Sequence, residues 1–195
     1  MALAYTNVAI EIREISLRDR PEELYAASKK GTVPVLITTE NKVSDESLEI
    51  MMWALENSPN QTWLSSDSSE EMDLIKENDT TFKKWLDRYK YHDRHPENPR
   101  EYYRDYCDKI LSNYESKLNS TTYFTRDDIS VADIAIFPFV RQFANVDYPW
   151  FESNYKQLVV WLNNMQQSEL FVSIMNKYDI WNKENNSTIL DYEQK

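Results

Sequence analysis

The sequence predicts a small mixed α/β unit followed by an all-helical domain, and three observations support this fold class. Near the start of the chain, apolar residues alternate with polar ones, which is the periodicity of a half-buried strand. Beyond about residue 70 they recur every three or four positions, as in amphipathic helices. The sequence holds a single glycine, Gly31. That leaves little room for tight hairpins or glycine-rich phosphate loops and favours a mainly helical chain.

Within the first unit, residues 1–57, the alternation over 8–13 predicts a strand with one polar face. Residues 33–37 form a second strand candidate, closed by a polar turn. Val43 and Ser44 would return beside it as a brief antiparallel strand. Helical periodicity starts at Ser47.

Residues 57–69 are polar, rich in turn-forming residues and poor in apolar anchors, which is typical of a linker. The remainder, residues 70–195, shows successive apolar faces at helical spacing and predicts an all-helical second domain. The sequence therefore divides into two domains.

Composition excludes several functional classes. The net charge is −11, and a surface of that sign repels nucleic acids and anionic membranes. No apolar stretch is long enough to span a membrane, and no signal-peptide pattern follows Met1. The one cysteine, Cys107, has no partner for an internal disulfide, which suits a reducing cytoplasm. The composition thus favours a soluble cytoplasmic protein. Such a protein would bind an anion only where local positively charged groups outweigh its negative charge.

The first candidate motif is Thr32-Val33-Pro34, a proline at the start of a strand. Such a proline often marks a fixed turn, and a cis X–Pro bond there would leave the preceding N–H and C=O free for an extended peptide ligand. An edge-strand proline with no ligand explains the pattern equally well. The motif alone leaves both interpretations open.

The second motif is Asp45-Glu46-Ser47, at the start of a predicted helix. Ser47 is predicted to cap this helix, and the free N–H groups beside it would attract a carboxylate. Glu46 would attract an ammonium group. An acid next to an anion site suits the head group of an α-amino acid. Without the first motif, an ordinary capped helix is the better explanation.

The third motif is a capping box, with Ser130 at the N-cap and Asp133 three residues later. This motif is structural and predicts no chemistry.

Two other candidates are weak. Cys107 lies on an apolar helix face with no cation placed to stabilise a thiolate, so a buried structural thiol is expected. His92 and His95 lack the further ligands that a metal site requires, so no metal is predicted.

Taken in this order, the three motifs resemble those of the cytosolic glutathione transferase superfamily, over roughly residues 1–180. The twelve residues from Pro34 to Glu46 match the spacing in the omega-like, cysteine-type members. Residues 82–91 and 132–143 resemble a bacterial branch. The resemblance implies a thioredoxin-like, glutathione-binding domain over 1–57 and an all-α domain over 70–195.

The resemblance also implies roles for individual residues. The Val33 backbone would bind the cysteinyl part of glutathione, with Pro34 as the structural proline. Glu46 and Ser47 would hold the γ-glutamyl head group. Arg20, which precedes Pro21, would contact a glutathione carboxylate. Ser130 and Asp133 match the folding motif of the helical domain.

The front of the chain departs from the family, because the first strand and the turn with the catalytic Cys, Ser or Tyr have no counterpart before residues 1–5. We therefore expect no catalytic residue in this sequence. The strand over residues 8–15 is then expected to detach, to pair with residues 33–37, or to borrow a strand from another chain.

The function implied is that of a glutathione-dependent transferase or thiol transferase whose catalytic N-terminal segment is absent. Its second substrate would be a small electrophile or a disulfide, and a homodimer is left open. The alternative is a non-catalytic protein of the same fold that serves in binding or assembly, since fold alone does not fix function.

Overall fold

The chain forms two compact units, of which one consists of Met1–Gln61 with Leu170–Lys195 and the other of Thr62–Glu169. The computed structural model describes residues 1–59, 62–183 and 188–192. The predicted linker and the end of the predicted helical domain lie in part outside these ranges. The domain boundaries proposed from the sequence therefore stay predictions.

The first unit contains short helices and strands. In chain order they are α1 (Ala2–Tyr5), β1 (Ile10–Ile12), α2 (Glu22–Ala27), β2 (Leu36–Ile37), β3 (Val43–Ser44), α3 (Ser47–Glu56) and, near the end of the chain, β4 (Thr188–Leu190). Helix α1 packs against α3 and buries Ala2 and Ala4. Helix α3 buries Ile50, Ala54 and Leu55.

Strand β1 pairs antiparallel with β4, with Ile10 opposite Leu190 and Ile12 opposite Thr188. Two of the alternatives expected for this strand, detachment and pairing with residues 33–37, are therefore wrong, because its partner comes from the same chain about 180 residues later. The borrowing of a strand from another chain stays a prediction. Strand β4 also lies in a region where the sequence predicts helix. The pairing gives β1 hydrogen-bond partners on that edge, which an isolated strand would lack.

Side-chain contacts hold the segment before β4 against the same unit. The Lys183 ammonium forms an ion pair with Glu23, and the Arg13 guanidinium lies 4.9 Å from the centroid of the Trp181 ring. Next to β1, Glu14 forms a parallel bridge with Ile180. The C-terminal segment is thus anchored to both β1 and α2.

The second unit is helical. Its elements are α4 (Ser69–Glu77), a π-helical turn (Asn78–Phe82), α5 (Lys83–Lys90), a 3₁₀ turn (His92–Arg94), α6 (Arg100–Leu118), α7 (Val131–Ala144), α8 (Tyr148–Asn154) and α9 (Gln157–Gln167), and α10 (Glu169–Ser173) follows. The core is aromatic, and Phe124, for example, lies 4.6 Å from Trp161 and 4.9 Å from Tyr114 between ring centroids. Among the described residues, no helix is both long and apolar enough to cross a membrane.

Helix α7 begins with a capping box at Ser130 and Asp133. Both residues are fully buried. One carboxylate oxygen of Asp133 accepts hydrogen bonds from the Ser130 N–H and hydroxyl. Its other oxygen accepts from the Phe124 N–H at 3.1 Å and from the Trp161 indole N–H at 2.9 Å. The box therefore also joins α7 to α9 and to the preceding loop.

We expect Ser130→Ala to lower the free energy of unfolding by about 1 kcal/mol, the usual effect of losing an N-cap side chain. Glutathione affinity should stay nearly unchanged, because Ser130 lies in the helical unit and its side chain bonds only within the capping box. Thermal melting and a binding titration on the same preparation check both statements. A large loss of affinity with unaltered melting would show that this motif has been misassigned.

Candidate functional site

The β2–β3 hairpin places the first two motifs at the same end of its ladder. Leu36 is paired with Ser44 and Ile37 with Val43. Val33 comes three residues before Leu36, and Ser47 comes three residues after Ser44. The antiparallel register therefore puts Val33 and Ser47 beyond the same end of the ladder.

Val33 is open to solvent at this end, with 47% of its surface exposed. The Val33–Pro34 peptide bond is cis. Among the described residues, no hydrogen bond uses the Val33 N–H or C=O. This segment therefore offers an unpaired donor and acceptor to an extended ligand.

Glu46 and Ser47 lie at the N-terminus of α3, and both are exposed. The N-cap is Glu46, not Ser47 as predicted, because the Glu46 carbonyl accepts the first helical hydrogen bond, from the Ile50 N–H. Ser47 is the first helical residue, and no side chain caps this terminus. The N–H groups of the first turn and the helix dipole remain available to an anion.

Lys30 holds the acidic pair in place. Its ammonium lies 2.8 Å from an Asp45 carboxylate oxygen and also pairs with Glu46. The Ser28 hydroxyl donates to the other Asp45 oxygen. These donors hold the pKa of Asp45 below its usual range, and the two carboxylates raise the pKa of Lys30. The Lys30 ammonium and the Asp45 carboxylate therefore stay charged at neutral pH.

Lys30 is not among the site residues that the motifs predict. A signal was present, since a lysine directly before Gly31 puts a positive charge beside the first motif of a strongly acidic chain. What the sequence does not show is that closing the hairpin brings Lys30 onto the second motif as well.

Gly31 allows the chain to turn between Lys30 and the Val33 segment. Its φ is +61°, a conformation that residues with a Cβ rarely adopt. A Cβ here would lie 2.4 Å from the Tyr25 ring, closer than atoms can approach. Two constraints thus explain why the one glycine of the chain stands at this position.

Arg20 is exposed and directly precedes Pro21, the N-cap of α2. It forms no hydrogen bond or ion pair with the other described residues. Its part in the candidate site therefore stays a prediction.

The one thiol, Cys107, is fully buried in α6 of the helical unit. Burial raises its pKa well above the ordinary value, and the neighbouring Asp108 raises it further. Among the described residues, no group of three or more His, Cys, Asp and Glu side chains is arranged to hold a metal.

Comparison with known proteins agrees with the two-unit architecture. Residues 1–62 match the family model of the glutathione S-transferase N-terminal domain, and residues 78–170 match that of the C-terminal domain. No curated protein matches the chain.

Several solved structures are similar over most of the chain. Glutathione transferase F7 from Populus trichocarpa is 15% identical, with 88% of each chain covered and a TM-score of 0.74. Poplar glutathione transferase F1 is 20% identical, with 89% of this chain and 88% of that one covered and a TM-score of 0.73. A glutathione S-transferase from Methylobacillus flagellatus with glutathione bound is 16% identical, with 88% and 89% covered and a TM-score of 0.71. Together with the small sheet and the helical unit, these likenesses confirm the predicted fold class, a thioredoxin-like N-terminal domain followed by an all-α domain.

Proposed function

The chain belongs to the glutathione S-transferase superfamily, and we propose that it binds glutathione at the open end of the β2–β3 hairpin. The observation that carries this proposal is the hairpin register, which puts Val33 and Ser47 beyond the same end of the β2–β3 ladder. Glutathione has a peptide backbone in its middle and an α-amino acid head group at one end. A free backbone donor and acceptor beside an acid and a helix N-terminus match both parts.

Each group then has a role. The Val33 N–H and C=O bind the cysteinyl peptide. The first turn of α3 and the Ser47 hydroxyl bind the head-group carboxylate, and Glu46 binds its ammonium. Lys30 fixes Glu46 and offsets the charge of Asp45, which would otherwise repel that carboxylate. Arg20 is proposed to contact a second glutathione carboxylate.

For the reaction, we propose glutathione-dependent transfer to a small electrophile or disulfide, as in the omega-like, cysteine-type branch. The twelve-residue spacing from Pro34 to Glu46 supports that branch. A reducing cytoplasm suits both the substrate and the free thiol. A homodimer is compatible with this proposal.

A second candidate function is binding or assembly without catalysis. One observation favours it: the only cysteine of the sequence, Cys107, is buried in the helical unit with a raised pKa, so it cannot act as an exposed thiolate.

We expect Ser47→Ala and Lys30→Ala each to weaken glutathione binding about tenfold, because a charge-assisted hydrogen bond or a compensating charge is lost. Isothermal titration calorimetry with reduced glutathione measures the change. Lys42→Ala is the matched control, since it removes an exposed cation from the same hairpin and should leave affinity unaltered. Unchanged affinity in both Ser47→Ala and Lys30→Ala would refute the site.

An assay of catalytic turnover distinguishes the transferase from the non-catalytic binding protein. Glutathione-dependent reduction of a small disulfide by the purified chain would favour the transferase. Binding that depends on Ser47 and Lys30, without turnover, would favour the non-catalytic protein.

A further inference from the structure

A small basic cleft lies within the helical unit, in a protein whose net charge is −11. Its volume is about 290 Å³. The lining comes from the last residue of α5, the first residue of α6 and the C-terminal end of α7, and it consists of Lys90, Arg100, Gln142, Asn145 and Val146. Three separate helices thus converge on a cleft lined by two cations and two amide side chains.

Neither cation is neutralised. Among the described residues, no carboxylate lies within 4.0 Å of the Lys90 ammonium or the Arg100 guanidinium. The Lys90 ammonium donates to the Gln142 amide oxygen at 3.0 Å, and one Arg100 amino group donates to the Val146 carbonyl at 3.2 Å. A lysine has three donors and an arginine five, so most of the donors of this pair are unused.

Arg100 is partly desolvated. Its Nε is buried and has no hydrogen-bond partner in the described part of the chain. Its guanidinium lies 5.2 Å from the centroid of the buried Tyr89 ring, within the range of a cation–π interaction. A cation removed from water in this way interacts more strongly with an anion than one on an open surface does.

The nearby acidic groups do not line the cleft. Asp147 acts as the N-cap of α8, where its carboxylate accepts the Trp150 N–H at 3.1 Å. Glu101 follows Arg100 on α6 and is exposed. The residues that line the cleft therefore carry two positive charges and no negative one, against the sign of the whole chain.

We propose that this cleft binds the oxyanion group of a small molecule, namely a carboxylate, sulfonate or phosphate. Two cations supply the charge, and the amide groups of Gln142 and Asn145 supply further donors. A volume of 290 Å³ corresponds to about ten water molecules, which is room for such a group and a small body attached to it. The proposal is independent of glutathione binding at the β2–β3 hairpin.

To test the proposal, the full chain is titrated separately with inorganic phosphate, sulfate and acetate. Chloride keeps the ionic strength constant, so that a change in charge screening is not mistaken for binding. We expect saturable binding of at least one oxyanion by NMR chemical shift, and a melting temperature above that in chloride alone. Acetate and phosphate as separate arms distinguish a carboxylate ligand from a phosphate ligand.

Variants locate the binding. Lys90→Gln should weaken it about tenfold, whereas Lys84→Gln, the same change on the same helix but away from the cleft, should not alter it. Arg100→Lys, which keeps the charge, should weaken binding less than Arg100→Gln, and circular dichroism checks that each variant is folded. The proposal would be overturned if none of the three oxyanions changed the chemical shifts and the melting temperature more than chloride does. It would also be overturned if Lys90→Gln and Lys84→Gln lost oxyanion affinity to the same extent.

Discussion

Replacing Asp133 by alanine is expected to lower the free energy of unfolding by about 3–4 kcal/mol, more than any other single polar substitution proposed for this chain. The reason is the number of donors that its carboxylate satisfies in a fully buried position. The Ser130 N–H and hydroxyl, the Phe124 N–H and the Trp161 indole N–H all donate to it. Alanine leaves these donors without an acceptor in a fully buried position.

Urea unfolding followed by tryptophan fluorescence measures this loss. Asp133→Asn is the matched control: it keeps the size of the side chain and one acceptor oxygen, so its loss should fall between those of Ser130→Ala and Asp133→Ala. A loss below about 1 kcal/mol for Asp133→Ala would mean that the loop before α7 rearranges to satisfy the donors by other means.

The capping box could be predicted from the sequence because it is local. Ser130 and Asp133 lie three residues apart, and the helix that follows fixes their geometry. The additional bond from Trp161 could not be predicted, because it depends on how α9 packs against α7.

The proposed glutathione site could likewise be predicted only in part. The motifs around Val33 and Ser47 could be recognised in the sequence, but the cap of α3 was displaced by one residue, to Glu46. Boundaries of this kind depend on which carbonyl accepts the first helical bond, and neighbouring residues compete for that position. Lys30 was missed because its ion pairs form only when the hairpin closes.

Strand β4 was the least predictable element. It is three residues long, and its partner β1 lies about 180 residues earlier in the chain. A segment of that length carries too little periodicity to distinguish strand from helix, and its conformation follows from the edge on which it pairs. The basic cleft could not be predicted either, because Lys90, Arg100 and Gln142 converge only after α5, α6 and α7 have packed.

The Cys107 thiol is expected to react with iodoacetamide at least about a thousandfold more slowly in the folded protein than in guanidinium chloride. Alkylation proceeds through the thiolate, and burial raises the pKa of this thiol. Cys107 also has no solvent-exposed surface, so the reagent reaches it only after local or global opening. Mass spectrometry after timed quenching gives both rates, and Cys107→Ser, which cannot be labelled at this position, sets the background.

The same variant should retain whatever glutathione-dependent turnover the chain has, within about twofold, because a buried thiol cannot attack a substrate. Rapid labelling of the folded protein, or turnover abolished by Cys107→Ser, would instead identify Cys107 as a reactive thiol and contradict its structural role.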